Sequence, residues 1–451
     1  MQKIERLIIV GGNAAGMTAA LRARRLSPEL DITVIEQSDF ISGANCSIPA
    51  YLEGKISDIS ALIQLKPERV ESEYHINLLT RHRALSIAPR EHQLQVQNLS
   101  TEQSFSVPYH RLILATGASP ICPNWVNRVT KGLFFLRSLQ DAVELRQYLE
   151  IRRPESLAII GTGTIAQACV SVLRTLGINV FLVGKSQGLL EDLEEPISER
   201  IRDVLKNNDV SVYLTDNLRG LKVSLDYKVE GVELADRALP CQGVLMAMGI
   251  SPNTQLAKTA DLAVGIDGTI RVDRHLMTSR QYIYACGDCT HTSHRILHKP
   301  VYWPLATTAN RQGRLAGENT AGGNNLDLGS FTTRLWTCFN LQIGRVGISS
   351  RQAQVLGIRH KITAVRAQSK SRFYGGDDLD IVMISDDKDG RILGAQLAGF
   401  EGVHARLNTM VAAIAGHLRI SELEQLDFGF TPKLANVWDP VQIAGRIAER
   451  D

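Results

Sequence analysis

A chain of 451 residues, 44% hydrophobic and 22% charged, has the balance of a globular protein and is too long for one ordinary core, so several domains are expected. Its net charge of +3 supplies no basic face for nucleic acid, and no apolar run approaches the roughly 20 residues of a membrane span. Seven cysteines scattered over this length fit no disulfide framework, and no charged-then-apolar leader precedes Arg6; both features predict a reducing cytoplasm.

The first organised stretch is residues 6–10 (RLIIV), a buried-strand pattern that breaks into Gly11-Gly12-Asn13-Ala14-Ala15-Gly16. An alanine-rich helical pattern runs to about Leu26, and a second strand over residues 31–35 ends in Glu36, 20 residues after Gly16. Glycines let the backbone turn tightly and approach a pyrophosphate at the helix N-terminus, while the terminal carboxylate binds an adenosine ribose. This predicts a dinucleotide site, with Asn13 standing where a middle glycine is usual. Just downstream lies Ser42-Gly43-Ala44-Asn45-Cys46-Ser47-Ile48-Pro49-Ala50-Tyr51, whose one cysteine falls where a bound cofactor's reactive ring is expected.

A second unit of the same kind begins at Ser156. The strand 157–160 leads into Gly161-Thr162-Gly163-Thr164-Ile165-Ala166, a helix follows to about Leu176, and a strand over 179–183 comes next. Two such units in one chain imply two cofactors that exchange a hydride. At the end of the second unit the acid is missing and Gly184-Lys185-Ser186 stands instead. Lysine and serine accept a 2′-phosphate that a carboxylate repels, so NADPH is expected over NADH.

Three more stretches are strands that meet small-residue turns: 112–117 (LILATG), 244–253 (VLMAMGISPN) and 283–288 (IYACGD). Together with both glycine loops they resemble the pyridine nucleotide-disulfide oxidoreductase family of flavoproteins, over essentially the whole chain. The resemblance implies an α/β fold with two Rossmann-like dinucleotide-binding domains and a C-terminal α+β dimerisation domain. An FAD domain would take residues 1–120 and 245–330, an NAD(P) domain 121–244, and a homodimer contact 331–451. FAD would be held by Gly11, Gly12, Ala15, Gly16, Glu36, Ala115, Thr116, Gly117, Asp288 and Ala306. In the family, the counterpart of Asp288 bonds the flavin ribityl chain, and the helix over 304–314 points its positive end at the ring. NAD(P)H would be held by Gly161, Gly163, Thr164, Ile165, Lys185 and Gly249.

Within the family the redox group discriminates. The two-cysteine reductases carry C-x4-C, but five positions after Cys46 stands Tyr51, and residues 426–432 (LDFGFTP) lack the histidine those enzymes use. Ser42 and Cys46 match the S-x-x-x-C of the single-cysteine branch, which comprises coenzyme A disulfide reductase, NAD(P)H oxidase and NADH peroxidase. There the lone thiolate cycles through a mixed disulfide or a sulfenic acid, and Ser42 is the expected hydrogen-bond donor to it. The oxidase and peroxidase types present a histidine in the first glycine loop, where this chain has Asn13. Arg22 and Arg25 share a helix face and align with coenzyme A phosphate contacts, with Asn45 beside the thiol. Tyr374 aligns with a proton donor from the partner subunit, whereas Phe430 aligns with a second such tyrosine and has no hydroxyl.

The reading is therefore an FAD enzyme that reduces a small disulfide or persulfide, coenzyme A disulfide foremost, through Cys46, Ser42 and Tyr374. An oxidase or peroxidase is the enzymatic alternative, and a flavin-bearing redox sensor the non-enzymatic one. No metal is expected: Cys286-Gly287-Asp288-Cys289 coincides with the flavin turn, and His291, His294 and His298 read as a solvated loop. The run 386–390 (DDKDG) reads as a hairpin turn. No sulfur-transfer domain is expected after the dimerisation segment.

Overall fold

In a computed structural model, residues 5–185, 188–190 and 192–448 are described. The chain forms two compact units. The first takes residues 1–121, 136–147 and 249–330, and the second takes 122–135, 148–248 and 331–451.

The first unit is built on a five-stranded sheet ordered Ile283–Ala285, Arg111–Leu114, Arg6–Val10, Asp31–Glu36 and Asn77–Thr80, every neighbouring pair parallel. The central strands are continuous apolar runs because both faces are covered, and Leu7, Ile8, Ile9, Leu112, Ile113 and Leu114 are wholly buried. The helix Ala14–Leu26 covers one face, together with the helix Ala306–Thr320. These two helices approach closely because Gly313 and Gly317 lie one turn apart and face the backbone of Ala15 and Ala19. A Cβ on either glycine would overlap those carbonyl oxygens. A small antiparallel sheet, His82–Ala88, Gln93–Asn98 and Ser104–Pro108, flanks the other face through Ile87, Leu94 and Val96.

The second unit contains two sheets. One is parallel, ordered Ser211–Leu214, Asn179–Gly184, Ser156–Ile160, Gly243–Met246 and Leu133–Phe135, with the helix Thr164–Thr175 after its Gly161 turn. The other is antiparallel, ordered Arg334–Cys338, Leu341–Gly347, Ile392–Gly399, Asp378–Asp386 and His360–Gln368. The run 386–390 joins two of these strands, as expected of a hairpin turn. A hydrogen bond from Trp336 Nε1 to Gln167 Oε1 (2.8 Å) ties the edge strand of this sheet to the helix Thr164–Thr175. A buried ion pair between Arg406 and Asp439 (2.7 Å) holds the helices Val403–Ala415 and Pro440–Ala448 together.

Alanine in place of glycine within a helix ordinarily gains about 1 kcal/mol. Gly317→Ala is expected to reverse that sign and lose about 1–3 kcal/mol, because the new methyl overlaps the Ala19 carbonyl. Urea unfolding of the variant against the parent protein measures it.

Candidate active site

The first glycine loop is shaped by contacts that admit no side chain. Gly11 has φ +108°, its N–H donates to the Ile35 carbonyl (2.8 Å), and a Cβ there would overlap the Ala115 carbonyl. A Cβ on Gly16 would overlap the Gly11 carbonyl. Glu36 is fixed by the Gly12 N–H (2.8 Å) and by the N–H and hydroxyl of Ser38 (2.8 and 2.9 Å), so its carboxylate is oriented at the mouth of the loop. Asn13 does not cap the helix that follows. Its Oδ1 accepts from the Gly43 N–H instead (3.1 Å), which leaves the first-turn amides of the helix Ala14–Leu26 without a side-chain acceptor. These unengaged donors, with the macrodipole behind them, fit a dinucleotide pyrophosphate.

The segment bearing Cys46 is tied to that loop. Ser42 donates its N–H to the Gly12 carbonyl (2.9 Å) and turns the chain with φ +50°. Cys46 lies in the turn Asn45–Ser47 and is exposed. The Ser42 hydroxyl is not a hydrogen-bond partner of the Cys46 thiol among the described residues; the contribution of Ser42 to the loop runs through its backbone. Tyr51, at the place of a second cysteine, is buried beneath the Arg146 guanidinium (4.4 Å from the ring centre).

Burial separates Cys46 from the other thiols. Cys169, Cys241, Cys286, Cys289 and Cys338 are buried, and burial pushes Cys169 and Cys338 up to about 12, Cys241 to about 11 and Cys286 well above its ordinary value. A thiol that cannot ionise is no nucleophile. Cys122 is half-buried.

Beyond the carboxyl end of the edge strand Ile283–Ala285, Asp288 follows Gly287 (φ +79°) and forms an ion pair with Arg137. Gln312 holds this turn: its Oε1 accepts from Gly287 N–H (2.9 Å) and the Thr290 hydroxyl (3.1 Å). Thr116 and Asn253 exchange two further bonds, Thr116 Oγ1 to the Asn253 carbonyl (2.6 Å) and Asn253 Nδ2 to the Thr116 carbonyl (2.9 Å), beside Ala115 and the positive-φ Gly117. Ala306 opens the helix Ala306–Thr320 and is exposed. Sequence reasoning missed Arg137. Its signal was the S-x-x-D that follows: Ser138 Oγ accepts from Asp141 N–H (3.1 Å) and Asp141 Oδ2 accepts from Ser138 N–H (2.7 Å), a capping box that fixes Arg137 at the start of the next helix.

Among the expected substrate residues, Arg22 is engaged with Glu318 (2.6 Å), which also receives Arg314 (3.2 Å) and Asn325 (3.0 Å), while Arg25 is exposed. Asn45 donates Nδ2 to the Arg137 carbonyl (3.0 Å). The solvated-loop expectation for the three histidines is corrected at His294. It lies in the strand Thr292–His294, is 2% exposed, and accepts at Nδ1 from the Ile296 N–H (3.2 Å). Among the described residues no cluster of three or more His, Cys, Asp or Glu could hold a metal ion, and no helix is long and apolar enough to cross a membrane.

In the second unit, Gly161 (φ +117°) donates to the Val183 carbonyl (2.8 Å) and a Cβ there would overlap the Ala247 carbonyl. A Cβ on Gly163 would meet nothing within 4 Å, so the loop entering the helix Thr164–Thr175 has room beside it. Thr164 opens that helix and Ile165 is exposed. Lys185 is exposed, and Ser186 lies outside the described residues. Gly249 (φ +98°) belongs to the first unit. Tyr374, in the turn Arg372–Tyr374, and Phe430 are about half exposed, at 54% and 51%.

Comparison with known proteins agrees with this architecture. Residues 5–313 match the model of the pyridine nucleotide-disulphide oxidoreductase family, and residues 335–440 match the dimerisation domain of the same family. An NAD(P)H sulfur oxidoreductase (CoA-dependent) of Pyrococcus furiosus is 30% identical, over 98% of this chain and 99% of the relative. An NADH oxidase of Methanocaldococcus jannaschii is 29% identical, over 98% of both chains. The crystal structure of reduced Bacillus anthracis CoADR-RHD superposes with a TM-score of 0.95 at 29% identity, covering 99% of this chain and 80% of that one. The chain therefore belongs to the pyridine nucleotide-disulphide oxidoreductase family, whose members are FAD-dependent oxidoreductases that use a pyridine nucleotide.

Proposed function

We propose that the chain is a homodimeric NAD(P)H:disulfide oxidoreductase that reduces a low-molecular-weight disulfide or persulfide through Cys46. Coenzyme A disulfide is the leading substrate and NADPH the preferred reductant over NADH. The observation that carries this reading is the one exposed thiol, on a loop bonded to the first glycine turn, while five other thiols are buried. The coenzyme A dependence in the name of the Pyrococcus furiosus relative supports the substrate. In this reading residues 1–120 and 245–330 hold FAD, 121–244 hold NADPH and 331–451 pair two copies of the chain in the cytoplasm.

FAD, held by the first glycine turn, Glu36 and Asp288, would supply two-electron reduction of sulfur at the expense of the nicotinamide. The chain's own part begins with the Cys46 thiolate, which attacks one sulfur of R–S–S–R, forms Cys46–S–S–R and expels R–S⁻. Tyr374 of a second copy donates the proton that turns R–S⁻ into R–SH, and Phe430 packs beside it without donating. Two-electron reduction of Cys46–S–S–R would then cleave its S–S bond, restoring the Cys46 thiolate and releasing a second R–S⁻ that takes up the proton carried by the reduced cofactor to leave as R–SH. Each turnover consumes one NADPH and one proton and releases two thiols. Arg25 meets the substrate phosphates directly, and Arg22 does so while shared with Glu318.

The name of the Methanocaldococcus jannaschii relative favours a second reading, in which the same thiolate attacks one oxygen of a peroxide, breaks the O–O bond and expels the other oxygen as water, and the resulting sulfenic acid is reduced back by two electrons from NAD(P)H with loss of a second water. Oxygen or peroxide would then sustain turnover in place of the disulfide.

Cys46→Ser is expected to lower kcat for NADPH-driven coenzyme A disulfide reduction by at least about a thousand-fold. Full retention of disulfide reduction would overturn the proposal, turnover sustained by oxygen alone would favour the oxidase, and turnover with neither acceptor would favour a sensor. Lys185→Glu is expected to raise the KM for NADPH about ten-fold or more while changing that for NADH little, read from initial rates with both nucleotides. Iodoacetamide at about pH 8 is expected to alkylate Cys46 first and Cys122 more slowly, leaving the five buried thiols unmodified in peptide mass spectra.

A further inference from the structure

Four residues of the second unit converge on a short segment, residues 192–194, just ahead of the helix Glu195–Asn207. Gln396 stands on the central strand of the antiparallel sheet, Ile392–Gly399, and is 2% exposed. Its Oε1 accepts from the Glu194 N–H (2.8 Å) and its Nε2 donates to the Asp192 carbonyl (2.7 Å), as a neighbouring strand would. Arg345, its cross-strand partner, reaches Asp192 Oδ2 (3.4 Å), and Gln352 donates to the same oxygen (3.3 Å). Ser350 gives the Glu194 carboxylate both its N–H (2.8 Å) and its hydroxyl (2.7 Å). A glutamine buried on a central strand is costly unless both ends of its amide are met, so any drift of residues 192–194 would strand them.

Two turns connect this clamp to Lys185. The Leu193 N–H donates to the Leu190 carbonyl (3.2 Å), Leu189 is buried, and the Gly188 N–H donates to the Lys185 carbonyl (3.3 Å). Just before Lys185, the Gly184 carbonyl accepts from the Thr215 N–H (2.8 Å). The backbone of Lys185 is thus braced by the parallel sheet on one side and by the clamp on the other.

We propose that Gln396 is a positioning residue for nucleotide choice: by fixing Asp192 and Glu194 it sets the stance of Lys185 toward a 2′-phosphate. The inference rests on the NADPH reading above and extends it to a residue on another sheet. The Gly161 turn serves both nucleotides alike, because each carries the same pyrophosphate. Slack behind Lys185 therefore weakens NADPH and spares NADH, a distinction that a general loss of stability does not make.

The test measures initial rates of the FAD-loaded protein with each nucleotide and ferricyanide as electron acceptor, with Tm followed in parallel. Gln396→Met keeps the side-chain length and removes both bonds. It is expected to raise the KM for NADPH about three- to ten-fold, to change that for NADH less than about two-fold, and to keep kcat. Ser350→Ala removes one hydroxyl and is expected to shift the same ratio about two-fold, which carries the test if Gln396→Met does not fold. Joined to Lys185→Glu, Gln396→Met is expected to add little to the KM for NADPH, because the group it positions is already gone. An equal rise in both KM values, an unchanged ratio in a folded variant, or full additivity with Lys185→Glu would overturn the role of Gln396 and leave the NADPH reading intact. A parent protein that does not prefer NADPH would remove that reading and the inference with it.

Discussion

Two hydrogen bonds bind the Cys46 loop to the first glycine turn: Ser42 N–H to the Gly12 carbonyl and Gly43 N–H to Asn13 Oδ1. Everything proposed for the thiol depends on them, because they fix the thiol-bearing backbone to the loop that fits a pyrophosphate. The glycine turn is itself rigid, since Gly11 and Gly16 leave no space for any side chain. Rigidity therefore passes from sheet to turn and from turn to cysteine without relying on an exposed ion pair. Asn13, the irregular residue of the fingerprint, provides the second of the two bonds, so the departure from a middle glycine has a structural use.

Much of this was legible in the sequence because period and punctuation agreed. The strands at 6–10 and 156–160 are unbroken apolar runs ending at glycines with strongly positive φ, and such glycines are the clearest local marks a chain carries. The solitude of Cys46 could be read by counting, since Tyr51 occupies the place of a partner. What stayed hidden depends on contacts between segments far apart in the chain. Arg137 meets Asp288 across 151 positions, and no spacing rule reaches that far. His294 was misread for a related reason: its neighbours are polar, but the short antiparallel pairing of 292–294 with 299–301 folds it inward, where its own backbone satisfies the ring. The proposed preference for 2′-phosphate rests on residues at the end of a strand, where local sequence says least about shape.

The charged pairs divide by burial. Arg406 and Asp439 are nearly enclosed, and the guanidinium also donates to the Ser369 carbonyl (2.8 Å), so removing either partner strands a charge that water cannot reach. Arg22 is more open, at 21% against 7% for Arg406, while its partner Glu318 is 12% exposed, much as Asp439 is at 11%. Arg22 thus reaches solvent from within its pair, whereas Arg406 is committed to the scaffold.

The packing of the helix Ala14–Leu26 on the helix Ala306–Thr320 also governs how the protein is made. The first unit draws on three separated stretches, the last of them ending at residue 330. During synthesis its opening strand and helix leave the ribosome hundreds of residues before the glycine-bearing helix that covers them. The apolar face of the early segment must wait, partly uncovered, while the intervening segment is translated. Long-range contacts of this kind form slowly and leave aggregation-prone surface in the interval. Assembly of this unit is therefore tied to translation of its third stretch, and yield in a cell should respond to chaperone supply and elongation rate more than to the stability of the finished fold.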